Sequence, residues 1–237
     1  MYSVECGRRG YRWRSHFAIV IRVMKQTTTL SCQLFLLLHD PFTGKGEVSQ
    51  ELLECGVSAA ELADLVIGRR LGIVDDHVAM AGLDRAGPGD RVGEYVLGCL
   101  ADQSKSYSVR TWVGSLGEAV TDLVVRELVD DGVVRHERGS LGLRGRKPDR
   151  FPAVDLLRAS SSRNRLRRML AHPAEFDLAG ATVASMVGAL GAERVLEVHD
   201  ARNVIKELST YLPSALHAVV DGLAAAVASA SVALGGR

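Results

Sequence analysis

The stretch SLGEAVTDLVVRELVDDGVVRHERGSLGLRGRKPDRF, from Ser115 to Phe151, restricts the fold more than any other part of the chain. Helix, stop signal, strand and turn can all be read from its residues. Ser115 followed by Glu118 forms a capping box, in which the hydroxyl accepts from an exposed helical N–H and the carboxylate reaches back to the cap. Beyond it Val120, Leu123, Val124 and Leu128 share one helical face, while Asp122, Arg126, Glu127 and Asp130 share the other. Gly132 is placed to take positive φ past the last turn. Val133, Val134, Leu141 and Leu143 then flank a Gly139-Ser140 turn, which predicts a hairpin. The unit is a buried helix feeding a basic hairpin.

The remaining chain reads as helices around that unit. Leu30 to Leu38 is too short to cross a bilayer, which needs about 20 apolar residues, so it is a buried element. Asp40 to Gly46 is a turn. Its Gly44-Lys45 pair lacks both the leading glycine and the following Ser or Thr of a phosphate loop. Ser49 and Ser58 both look like helix starts, the second through a Ser58–Glu61 capping box, and the helix ends near Gly68 with Leu62, Leu65, Val66 and Ile67 inward. Leu71 to Val74 and His77 to Met80 are short strands, with Asp75, Asp76 and His77 as a polar turn rather than metal ligands. Ala86 to Asp90 is a loop, and Val92 to Leu100 is a helix with Val92, Tyr95, Val96 and Cys99 inward. Ser104 to Ser108 leads to a partly buried Trp112. His172-Pro173 ends a further helix, and Leu178 to Leu190, Val195 to Leu208 and Leu212 to Leu234 complete a small-residue bundle.

With 237 residues and 47% hydrophobic content, one substantial core is within reach. The fold class is therefore mainly α: a single helical domain with short strands and a protruding β-hairpin. Residues 1–23, with Arg8, Arg9, Arg12 and Arg14 ahead of a short apolar run, are expected to be a disordered N-terminal extension of a domain over 24–237. The alternative is a basic tail touching a membrane through Trp13 and Phe17. Cys6, Cys32, Cys55 and Cys99 are scattered with no C-x-x-C pair, which suits a reducing cytoplasm and core thiols.

A formal net charge of +1 gives no global attraction to nucleic acid or anionic lipid, so any such attraction is local. Arg144, Arg146, Lys147, Arg150, Arg158, Arg163, Arg165, Arg167 and Arg168 face only Asp149 and Asp155 in that span. This is the chain's one strong charge asymmetry. It is either a solvated face with a charged hairpin edge, or a surface for lipid headgroups at about 1 kcal/mol per basic residue. Catalytic signatures such as H-E-x-x-H, G-x-S-x-G and G-x-G-x-x-G are absent, and no cofactor is implied.

The order of LFLLLHDPFTGK, ELADLVIGRRLGI, VVRELVDDGVVR, RKPDRFPAVD and RNRLRRML resembles the Golgi phosphoprotein 3 family. The resemblance covers Leu30 to Thr210. It implies a non-enzymatic peripheral membrane or adaptor protein that binds phosphatidylinositol 4-phosphate, with protein partners and self-association through the hairpin. The family's headgroup pocket, a tryptophan and three basic residues, falls here on Ser49, Ser58, Glu118 and Thr121, so all four are substituted. Lipid or anion binding is then expected from Arg144, Arg146, Lys147 and Arg150, with Arg163 and Arg167 behind them, at the inner face of the membrane. The alternatives are a scaffolding protein with no lipid ligand and a winged-helix nucleic-acid binder. Glu118, Asp122, Glu127, Asp130 and Asp131 on the would-be recognition helix count against nucleic acid.

Overall fold

The computed structural model describes residues 28–81, 90–142, 145–146, 148–172 and 175–235. The expected N-terminal extension and most of the Ala86 to Asp90 loop lie outside the described residues. Those described form eight α-helices and two small two-stranded antiparallel sheets. The elements run α1 (Leu30–Leu37), α2 (Gln50–Ile67), β1 (Leu71–Val74), β2 (His77–Met80), α3 (Arg91–Ala101) and α4 (Val109–Asp130). They continue through β3 (Leu141–Gly142), β4 (Gly145–Arg146), α5 (Leu156–Ala171), α6 (Leu178–Ala189), a 3-10 turn (Glu193–Leu196), α7 (Ala201–Ser209) and α8 (Ser214–Gly235).

The run LSCQLFLL is apolar all round, so it forms a helix with no solvent face: all eight residues of α1 are buried, and Thr29 caps it by accepting from the Cys32 N–H. α2 is the central helix, packed against α1, α4 and α8, with α3 and α6 at its sides. α8 is the core helix that its Ala, Val and Leu content predicts; Leu216, Val219 and Leu223 are buried. No helix among the described residues is long and apolar enough to cross a membrane.

Both capping boxes read from the sequence are absent. α2 starts at Ser49, which accepts from the Leu52 N–H, so Ser58 and Glu61 lie mid-helix and fully buried. α4 starts at Ser108, which accepts from the Thr111 N–H; Ser115 sits within the helix and donates to the Trp112 carbonyl at 3.3 Å. A glycine lies two residues from each false start. A Cβ on Gly56 would lie 2.9 Å from Leu190 Cδ1, and one on Gly117 would lie 3.0 Å from Glu54 Cβ. Helical glycines here serve close helix contact, which reads in sequence as a break.

Three smaller expectations also change. Tyr95 is exposed, and Val96, Leu97 and Leu100 fill the inner face of α3 beside Val92. Val195 to Leu208 is not one helix, because Glu197 and Asp200 adopt left-handed backbone between the 3-10 turn and α7. The hairpin does not reverse at Gly139-Ser140: Leu141 pairs with Arg146 and Gly142 with Gly145. The strands β1 and β2 and the turn at Asp75 and Asp76, both at positive φ, are as the sequence predicts.

Candidate membrane-docking face

The hairpin grows from the C-terminal end of α4. Gly132 takes a φ of +67°, reversing the chain after the Asp131 cap, and Val133 and Val134 turn into the core. The two arms are joined at Glu137 and Arg150, which exchange backbone hydrogen bonds of 2.8 and 2.9 Å, and at Arg135, whose N–H donates to Pro152. Asp149 closes the near arm, bonding His136 Nε2 at 2.6 Å and accepting from the Gly139 N–H at 2.8 Å.

The root of the hairpin is fixed to the turn between α1 and α2. The N–H of Phe151 donates to Gly44 and that of Ala153 to Pro41, both at 2.9 Å. Gly44 has a φ of +65°, and a Cβ there would sit 2.2 Å from Pro152 N, so only glycine fits. The Phe151 ring meets Phe35 and His39 edge-on at centroid distances of 5.2 and 5.3 Å and stacks on His136 at 5.0 Å. His39 holds its Nδ1 2.8 Å from the Phe35 carbonyl, so that nitrogen carries the proton. Burial pushes this imidazole down to about 4.

Because Pro41 and Ala153 are hydrogen-bonded neighbours, the residues after them emerge side by side. Phe42 is 75% exposed, Val154 60%, Leu156 44% and Leu157 86%. Nothing among the described residues covers this apolar cluster. Around it stand Lys45, Arg138 and Arg150, all exposed and without an ion-pair partner among the described residues. The nearby acids are engaged elsewhere. Asp40 accepts from Phe42 N, Thr43 N and the Thr43 hydroxyl, which holds its carboxyl below the ordinary range, and Asp155 caps α5.

The basic run read from the sequence divides in two. Arg144 and Lys147 lie outside the described residues, Arg146 is described in its backbone alone, and Arg150 is at the surface as expected. The half on α5 is internal fastening. Arg158 bonds Asp131; Arg163 donates to the Leu37 and His39 carbonyls at 2.9 and 3.1 Å; Arg165 pairs with Asp177. Arg167 donates to the Leu196 carbonyl at 2.8 Å and pairs with Glu197, and Arg168 pairs with Glu175. Arg163 and Arg167, expected behind the lipid face, each make contacts within the protein while remaining half-exposed.

Of the four positions that the family resemblance assigns to a headgroup pocket, two lie at the surface and two in the core. Ser49 is exposed and caps α2, and Glu118 is an exposed carboxylate on α4. Ser58 and Thr121 are buried with unpartnered hydroxyls, beside a seam that Gly117 lets close to backbone contact. The sequence reading missed Phe42, Val154, Leu156, Leu157, Lys45 and Arg138. The available signal was apolar residues in a turn and in the first turn of a helix whose other residues are polar.

These features define a helical protein with a hairpin whose root carries one apolar and basic surface. The chain belongs to the Golgi phosphoprotein 3 (GPP34) family, whose family model matches residues 30–231, nearly its whole length. No curated protein matches it.

Proposed function

We propose that the protein is a non-enzymatic peripheral membrane adaptor that lays its hairpin root on an anionic bilayer, at the cytoplasmic face of the membrane. The observation that carries this reading is the exposed cluster of Phe42, Val154, Leu156 and Leu157 ringed by three unpaired cations. Apolar side chains supply insertion at the level of the headgroups, and cations supply attraction to anionic lipid, and neither is costly to the fold because both already face solvent. In sequence, Arg144, Arg146 and Lys147 add positive charge to the same segment. Family membership supports the adaptor role, including protein partners and self-association through the hairpin.

The chemistry favours general anionic lipid over one phosphoinositide headgroup. A carboxylate at Glu118 repels phosphate, and buried Ser58 and Thr121 present no donor to it. A winged-helix role is disfavoured because α4 is a core helix packed against α2, α3 and α8, not an exposed reader of a groove.

Flotation with vesicles of phosphatidylcholine, alone or mixed with phosphatidylglycerol, tests the proposal. Binding that requires the anionic lipid and weakens with salt is expected. No binding at low salt removes the lipid and leaves a scaffolding protein whose apolar cluster meets another protein.

A further inference from the structure

At the opposite end of α1 from the hairpin, one buried carboxyl group has half-buried acids as neighbours: Asp64 of α2, Asp90 at the start of α3 and Glu127 of α4. Glu61 of α2 is fully buried. Its Oε2 accepts from the Ser31 hydroxyl at 2.6 Å, and its Oε1 has no partner. A Cβ on Gly93 would lie 3.2 Å from Glu61 Oε1 and 3.1 Å from Asp90 Oδ1, so the two carboxyl groups flank the same glycine with nothing larger between them. Asp64, one turn further along α2, accepts from the Leu30 N–H.

We propose that Glu61 is a proton-held latch: neutral, it fastens the first turn of α1 to α2, and its ionisation opens that turn. A hydroxyl chain leads to it, from Thr29 to Ser31 at 2.9 Å and from Ser31 to Glu61. A carboxylate with one donor and no cation in the interior is too costly to persist, whereas a carboxylic acid there, even with Oε1 unpartnered, has no charge to desolvate.

Its acidic neighbours favour the neutral form, against the Ser31 hydroxyl, whose donated hydrogen bond favours the charged one. From α1 there is Cys32, its thiol pushed up to about 12 by burial; from α2, Asp64; from the start of α3, Asp90; and from α4, Glu127, whose Oε2 is also unpartnered, with Asp131 beyond. The nearest cation, Arg91, is paired with Asp130. The described stretch of α6 carries no charge, and on α8 His217 and Asp221 bond each other. Burial first, then the Asp90 charge, raise Glu61 to about 8 and Asp64 to about 6.

The sign follows from linkage. The opened turn returns Glu61 to water, where it loses its proton near 4.5, so the opened form binds fewer protons up to about pH 8. Opening therefore grows about tenfold per pH unit as pH rises towards about 8, then levels.

The test is amide hydrogen exchange of α1 in the full chain from about pH 6.5 to about 9, above the Asp64 step and below thiol ionisation, with carbon-13 NMR of the Glu61 carboxyl in parallel. Exchange is itself base-catalysed, so wild-type α1 amides should accelerate about a hundredfold per unit below about pH 8, and Glu61→Gln only about tenfold throughout. Asp90→Asn keeps the α3 cap and removes the neighbouring charge, so the Glu61 midpoint should move to lower pH. A wild-type slope equal to that of Glu61→Gln, or a Glu61 carboxyl titrating near its ordinary 4.5, overturns the latch. If Glu61→Gln does not fold, the wild-type NMR midpoint and its displacement in Asp90→Asn decide the matter.

Discussion

Replacing Phe42 and Leu157 together by serine isolates the apolar part of the proposed docking face. Both side chains lie in solvent, at 75% and 86% exposure, so their removal leaves the core untouched. Full burial of such a side chain contributes about 2 kcal/mol. Scaled by exposure, the pair supplies about 3 kcal/mol to insertion, which is about a hundredfold in partition coefficient. The assay is co-sedimentation with vesicles containing phosphatidylglycerol at low salt, with lipid titrated to half-binding. A denaturant melt of the same variant should match wild type to within about 0.5 kcal/mol, as expected for surface changes. A double variant that folds normally and partitions as wild type does would refute insertion at the hairpin root and leave only electrostatic contact.

The other outcomes concern the frame beneath that face. Gly44→Ala should cost about 2 to 3 kcal/mol in urea unfolding, about 1 to 2 for left-handed backbone and the rest for overlap with Pro152; a loss under about 1 kcal/mol would show that the root yields. Arg163→Ala frees two carbonyls at the end of α1 and should lower stability by about 2 to 3 kcal/mol while leaving vesicle binding unchanged; reduced binding at equal stability would return Arg163 to the lipid face. His39 titrates from 6.5 in the unfolded chain to about 4 when folded, so the stability it contributes is present above about 6.5 and is lost as pH falls through about 4. Because Glu61 and Asp64 titrate across the same range in the opposite sense, the limb is read as a difference: the stability of wild type relative to His39→Gln should fall as pH drops from about 7 to about 4.

Much of the fold was legible because hydrophobic spacing reports which face is inside. The interior face of α4, the all-round apolar α1 and the β1–β2 turn each follow from residues a few positions apart. Helix starts were not legible where a glycine interrupted the pattern. Gly56 and Gly117 read as breaks because propensity is local, yet each is required by a neighbour far away in sequence, Leu190 or Glu54. Ser58, two residues after Gly56, and Ser115, two before Gly117, then looked like caps. The partners of charged residues were hidden for the same reason. Arg158, Arg163, Arg165, Arg167 and Arg168 form a basic run in one dimension, while their partners Asp131, Asp177, Glu175, Glu197 and the end of α1 come from elsewhere in the chain. The apolar cluster at the hairpin root was invisible until Pro41 and Ala153 were known to be neighbours.

The attachment of Phe151 at Gly44 has a mechanical consequence. A projecting ribbon on a soft base would swivel when pressed against a flat sheet and absorb the displacement. This one leaves the body through an elbow with no room for even one added carbon, so a load on its tip passes as torque into α1. That helix is enclosed on every side and cannot turn alone. The whole molecule must therefore tilt as one piece, and whatever surface receives the hairpin also sets the direction in which every other face of the protein points.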